Sequence, residues 1–391
     1  MEIDLYFEPI DLGGYEFAEK AHRKRLGDVV RSYQQAGDFP SLKDIDIAII
    51  GVKEDRSAFN NKGCKHAPDV IRDYFYRLFQ GSWKARLADL GNIKAGNTIQ
   101  DTHFALTSVV KELLEHGVFP LIIGGSQELT HACYKAYEQL KQIINIVSVD
   151  PLFDLGEKED TLSSRSYLSK IILNQPNFLF NYTNIGYQTY FVDDQAIELM
   201  ENLFFDCIRL GKIRSDMKES EPIVRNADMI TFDVSAIRQS DAPGNGNASP
   251  NGFYGEEACQ IMRYAGMSDK LSSMGIYELN PSWDVNGQTS HLAAQMIWYF
   301  IDGFYNRKKE FLHKSKKHFL KYMVSIKDHK EQLVFYKSRI SDRWWMEVPV
   351  KSSLRIKFTR HHFIPCSYTD YQTALNNDIP DRWWKAYQKL M

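Results

Sequence analysis

Three carboxylates in this chain stand at the ends of predicted strands: Asp150 follows the apolar run 143–149, Asp233 closes 229–233, and Glu278 lies near the end of 274–279. Ser126 and Gln127 follow a fourth run, 119–123. In an open parallel sheet ligands bind outside the carboxyl ends of the strands, so the fold would bring these polar groups onto one rim. A lone acid at such a position is more often a helix cap or loop residue, whereas three on separate strands mark a candidate site. Acids held at short range, Asp154 among them, repel one another. That repulsion raises their pKa values or demands a positive charge, from a metal ion or from a Lys or Arg side chain.

The elements that must position these residues follow from periodicity. Short apolar runs rich in β-branched residues alternate with longer segments of helical period, the signature of a mainly parallel sheet covered by helices on both faces. Eight strands are predicted, at 46–52, 86–89, 119–123, 143–149, 179–186, 206–210, 229–233 and 274–279. Pro68 marks a first helical turn, Gly117 closes the helix containing Val109, Leu113 and Leu114, and Gly266 is expected to close the helix from Gly255. A last body helix covers 289–305, and beyond it the pattern changes. A Lys-rich helical stretch is expected over 307–330, then strand-like runs at 333–350 and 354–363. The division is therefore an extension at 1–44, an α/β domain at 45–305 and an α+β extension at 306–391. Asp342-Arg343-Trp344-Trp345 recurs as Asp381-Arg382-Trp383-Trp384, and paired tryptophans of this kind are most often packing anchors.

Composition narrows the function classes. The chain has 391 residues, 43% of them hydrophobic, enough for one large core or two smaller ones. No run approaches the roughly 20 apolar residues of a membrane span, and the first residues do not resemble a secretory signal. Five scattered cysteines without CxxC spacing fit reduced thiols and a cytoplasmic setting. Residues 305–391 hold 19 Lys and Arg against 8 Asp and Glu, a net +11, which leaves −13 on residues 1–304. The tail is expected to pack on its own acidic body or on a neighbouring subunit. The sharper alternative, contact with nucleic acid or a membrane, has no motif behind it.

The strand-end segments Gly124-Gly125-Ser126-Gln127-Glu128, Asp150-Pro151-Leu152-Phe153-Asp154 and Thr231-Phe232-Asp233-Val234-Ser235 resemble the ureohydrolase family of arginase, agmatinase and formimidoylglutamase. That family carries GGDHS, DAHxD and SFDxD at these places and holds two manganese ions. The resemblance extends over most of 45–305, through His66-Ala67-Pro68, Ser240-Asp241-Ala242-Pro243-Gly244 and Gly275-Ile276-Tyr277-Glu278-Leu279-Asn280-Pro281, and is nearest to formimidoylglutamase. It implies a three-layer α/β/α arginase-like fold with an eight-stranded, mainly parallel sheet, and a trimer or hexamer.

By that resemblance Asp150 and Asp233 bridge two ions, Gln127 and Asp154 complete one site, and Leu152 and Ser235 stand where the other needs His and Asp. A Gln carbonyl is an oxygen ligand suited to Mn or Mg, whereas an alkyl group is no ligand. The expectation is at most one divalent metal, or none. Glu278 either accepts hydrogen bonds from a small cationic amidine or guanidino ligand, with Ser235 nearby, or caps the following Asn280-Pro281 turn. No His lies between His131 and His291 to shuttle protons, and His131 is expected on a helix surface, away from the site. Three functions stay open: an inactive or impaired family member acting by binding or assembly; an active amidine hydrolase using one ion with Asp154 and Glu278 as catalytic groups; and a scaffold whose basic tail docks a protein partner.

Overall fold

The computed structural model describes residues 3–11, 23–156, 161–327, 332–354 and 356–391. All eight expected strands are present, inside a sheet of ten. The strands are β1 (Phe7–Glu8), β2 (Arg31–Ser32), β3 (Ile47–Val52), β4 (Leu87–Ile93), β5 (Phe119–Ile123), β6 (Ile144–Val149), β7 (Leu179–Tyr187), β8 (Asp206–Arg209), β9 (Met229–Asp233) and β10 (Ser273–Tyr277). The body helices are α1 (Ala67–Phe75), α2 (Ile99–Glu115), α3 (Leu129–Gln139), α4 (Tyr167–Leu173), α5 (Asp194–Asn202), α6 (Leu210–Ser215), α7 (Ser220–Arg225), α8 (Gly255–Gly266) and α9 (Gln288–Tyr305).

The two additional strands come from the N-terminal 44 residues, where two-residue segments are too short to show a period. β1 pairs antiparallel and β2 parallel with β4. The sheet order is β1-β4-β3-β5-β10-β9-β6-β7-β8. It sets β5, β10, β9 and β6 side by side at its centre, so the segments bearing Gln127, Glu278, Asp233 and Asp150 emerge from four adjacent strands.

Burial on both faces explains the unbroken apolar runs. In β3, Ile47 and Ile49 face one core with Ile71 and Phe75 of α1 and Phe300 of α9, while Ala48 and Ile50 face the other with Leu106 of α2 and Tyr137 of α3. Among the described residues no helix is long and apolar enough to cross a membrane, and all five cysteines are free.

The tail is an antiparallel sheet of β11 (Phe319–Val324), β12 (Leu333–Ser338), β13 (Trp344–Glu347) and β14 (Phe363–Cys366), backed by α10 (Tyr368–Leu375) and α11 (Asp381–Leu390). The helix expected over 307–330 is corrected: β11 occupies its middle, and 328–330 lie outside the described residues. Lysines suggested a solvated helix, but Phe319, Tyr322 and Val324 are aromatic and β-branched, and β11 pairs with β12 from Phe319↔Ser338 to Val324↔Leu333. The run 333–350 divides into β12 and β13 around a turn, and the strand placed at 354–363 begins only at Phe363.

The two Asp-Arg-Trp-Trp strings are not a structural repeat. One enters β13 and the other opens α11, yet Trp344, Trp345 and Trp383 are all buried anchors. Arg343 reaches Glu221 at 3.0 Å and Arg382 reaches Glu219 at 2.8 Å, while Lys385 lies 3.2 Å from Asp206. Basic tail and acidic body therefore neutralise each other within one chain.

Gly266 closes α8 as its last helical residue, and it is also a point of close helix contact. A Cβ there would stand 2.1 Å from Phe300 O on α9, and one at Gly303 would stand 2.3 Å from Arg263 O. Gly266→Ala should therefore force α8 and α9 apart at a cost of about 1–3 kcal/mol. The reading is a lower urea midpoint at unchanged slope, and an unmoved midpoint would contradict the contact.

Candidate active site

The Gly124-Gly125 turn after β5 requires glycine. Both residues have positive φ, 84° and 74°, and a Cβ on Gly125 would meet Glu54 O at 2.8 Å. The turn lays Gln127 over the ends of β9 and β10. Gln127 N donates to Glu278 Oε1 at 2.8 Å and its Nε2 to Thr231 Oγ1 at 2.8 Å. Its carbonyl Oε1 is buried without a hydrogen-bond partner.

Glu278 follows β10 with φ 65°, a conformation a long side chain rarely adopts. The backbone is pinned there by Glu278 N donating to Gly125 O at 2.9 Å and by Asn61 Nδ2 and Asn245 Nδ2 donating to Glu278 O at 2.8 and 2.7 Å. Its second carboxylate oxygen accepts from Asn61 Nδ2 at 2.7 Å. The alternative of a turn cap is corrected, because Asn280 caps that turn itself by accepting from Ser282 N at 3.0 Å. Burial, then the neighbouring Asp233, drives the Glu278 pKa well upward.

Asp150 and Asp154 lie on the loop after β6. Asp150 accepts from Leu152 N at 2.7 Å through Oδ1, and its Oδ2 is buried without a hydrogen-bond partner. Asp154 takes φ 51°, the left-handed region that Asp tolerates. Burial, with Asp154 and Asp233 nearby, raises the Asp150 pKa well above the carboxylate range; burial also lifts Asp154 to about 7, against the pull of Arg165. Asp233 is likewise raised by burial, although Ser235 pulls it down, its amide donating to Asp233 at 2.6 Å.

The cation that answers these acids is a side chain invisible to motif reading. Arg165 Nη1 stands 3.8 Å from Asp154 Oδ1, with its guanidinium 5.4 Å from the Phe59 ring centre. It lowers the pKa values of both Asp154 and Asp233. Its local sequence, Ser163-Ser164-Arg165-Ser166, carries no signal that would have singled it out. Asn61 was missed for the same reason. Glu128, inside the Gly-Gly-Ser-Gln-Glu string, was also passed over: it accepts from Ser126 Oγ at 2.7 Å, and burial pushes its pKa up to about 7.

His131 lies on α3, half-buried, where burial and then Lys135 and His103 push its pKa down to about 4; it is not among the groups acting on the acid cluster. Among the described residues, no group of three or more His, Cys, Asp and Glu side chains is placed to hold a metal ion. Leu152 supplies an alkyl group and Ser235 a hydroxyl beside these acids.

Residues 45–302 match the arginase family. The chain belongs to that family. Over 266 residues this arginase-family chain is 26% identical to a formimidoylglutamase of Staphylococcus haemolyticus, covering 65% of the chain and 85% of the relative. Its fold is that of two solved structures. Formiminoglutamase of Trypanosoma cruzi with Mn2+ superposes at a TM-score of 0.65 and 21% identity, covering 73% of this chain and 99% of the other. Formimidoylglutamase of Bacillus subtilis gives 0.68 and 21%, covering 76% and 97%.

The acid pocket sets a pH dependence. Asp154 has an ordinary value of 3.8 and a folded value of about 7, so between these the native state keeps a proton that the unfolded chain has lost. Its favourable contribution is complete below the ordinary value and declines as pH rises through about 7. In metal-free buffer Asp154→Asn, which keeps the backbone conformation, should gain stability over wild type as pH climbs through that window and hold the gain above it, on the order of 1–4 kcal/mol. Thermal unfolding of both proteins at several pH values is the check, and a constant difference would contradict the assignment.

Proposed function

We propose that this protein is a formimidoylglutamase-like member of the arginase family whose dinuclear manganese site is degenerate, and that it acts by binding or assembly. The observation carrying this reading is the donor chemistry beside Asp150 and Asp233. A second ion would need its remaining ligands there, and the chain offers Leu152 and Ser235, whose amide donates to Asp233 at 2.6 Å. Arg165 supplies beside Asp154 the positive charge that a metal would otherwise provide.

Gln127, Asp150, Asp154 and Asp233 would hold at most one divalent ion, Mn or Mg. Gln127 Oε1 and Asp150 Oδ2, both buried and without hydrogen-bond partners, are the oxygens that favour it. Such an ion supplies Lewis acidity and lowers the pKa of bound water. The chain's own residues supply recognition: the acids suit a small planar amidine or guanidino cation, for which the Arg165 guanidinium is an internal stand-in.

Those two free oxygens also favour a second reading, an amidine hydrolase running on one ion with Asp154 and Glu278 in catalytic roles. The third, a tail that docks a protein partner, has against it the ion pairs that tie Arg343, Arg382 and Lys385 to the body. Release of formamide or urea from formimidoylglutamate, agmatine and arginine after loading with Mn2+ separates the first two. No release above the uncatalysed rate is expected. Turnover at about 1 per second or faster, abolished by Asp154→Ala, would overturn the binding role and establish the hydrolase.

A further inference from the structure

We propose that the seam between the tail and the amino ends of the central strands is a binding site for a small phosphate-bearing anion. A cavity of about 340 Å³ lies there, walled by Arg225 and Lys270 of the body and by Lys314, Arg343, Trp345 and Arg360 of the tail. Lys270 precedes β10, and Asp228, with which it pairs, precedes β9. The acid pocket follows those same strands, so the two sites lie at opposite ends of five-residue strands, roughly 17 Å apart along them.

The charges around this cavity do not balance pairwise. Glu221 serves both Arg225 at 2.9 Å and Arg343 at 3.0 Å. Asp228 serves both Lys270 at 3.3 Å and Arg360 at 2.5 Å. Glu221 and Asp228 are not part of the lining, whose own two acids are Asp269, which accepts the amides of Lys309 and Glu310 at 2.9 Å each, and Glu310, which accepts from the hydroxyls of Ser338 and Ser341. Four carboxylates thus stand against five cations, the fifth being Lys314, 4.5 Å from the Phe311 ring centre.

Two of these guanidiniums are nine-tenths or more buried and still carry free donors. Arg225 Nη1 and Arg343 Nη2 have no hydrogen-bond partner, although their side chains are only 4% and 9% exposed. A buried charged donor left unpaired costs free energy that a bound anion would recover. Burial pushes Lys270 down to about 8 despite Asp228, and holds His313 below its usual value. Burial is the main cause of both, and the nearby Arg360 adds to each.

The ligand class follows from the donors. Guanidinium groups grip phosphate through paired N–H bonds and ammonium groups act as point charges beside them. The cavity exceeds the volume of a phosphate ion, and Trp345 with Phe311 and Phe363 supplies apolar wall for an attached organic group. Because body and tail both contribute cations, the anion would clamp the two together.

The test uses the full chain at low salt, with calorimetric titration of inorganic phosphate, of a sugar phosphomonoester and of succinate as a dianion lacking phosphorus. Phosphate or the ester should bind with a Kd of about 1 mM or tighter, and Lys314→Glu, an exposed position outside any ion pair given above, should weaken binding roughly tenfold or more. Arg343→Met should abolish it. Tighter binding of the ester than of phosphate assigns the apolar wall to the organic group, and equal binding makes free phosphate the ligand; either supports the site. Lack of heat from both compounds, binding untouched by Lys314→Glu, or succinate binding as tightly as phosphate would overturn it.

Discussion

Carboxylates cannot be buried together at the carboxyl edge of a sheet without something to carry the balancing charge. Asp150, Asp154, Asp233 and Glu278 are all enclosed here, and Coulomb repulsion between them grows as water is excluded. This chain meets the constraint with carboxyl pKa values raised by burial, the Arg165 guanidinium, and fixed donors from Gln127, Asn61 and Ser235. Each answers one part of the repulsion. The left-handed backbone at Asp154 and Glu278 is held by the same network, so local strain and electrostatics are parts of one arrangement.

The sheet order explains why substitutions at a few positions suffice to change the chemistry while leaving the fold untouched. β5, β10, β9 and β6 are adjacent because apolar strands pack on two cores, and neither core draws on Gln127, Leu152 or Ser235. A hydroxyl in place of a carboxylate at 235, or an alkyl group in place of an imidazole at 152, alters what the rim can hold and nothing beneath it. Fold and chemistry are separately encoded.

Much of this was legible in the residues. Central strands such as Ile47–Val52 and Ile144–Val149 read as unbroken apolar runs because both faces are buried, and Pro68 announced α1. The strand-end acids were legible because a parallel sheet fixes where its carboxyl ends point. Arg165 was not, since its importance arises from a loop fold that brings it across to Asp154 with no sequence period. β11 was misread because Lys321 and the lysines before it suggested a solvated helix, and the strand is only six residues long. Gly266 was legible as a terminator, whereas its contact with α9 was not, being 34 or more residues away in sequence.

The tail's opposite charge is resolved inside the chain, through Glu219, Glu221, Asp206 and Asp228, which joins tail to body as one electrostatic unit. The central proposal nonetheless rests at the other edge of the sheet, where the Arg165 guanidinium stands beside the buried acids and a metal pair is proposed to be lost. Titration of the purified chain with Mn2+, followed by electron paramagnetic resonance, tests it most directly. The expected result is at most one isolated ion per chain; the signal of an exchange-coupled dimanganese centre would contradict it.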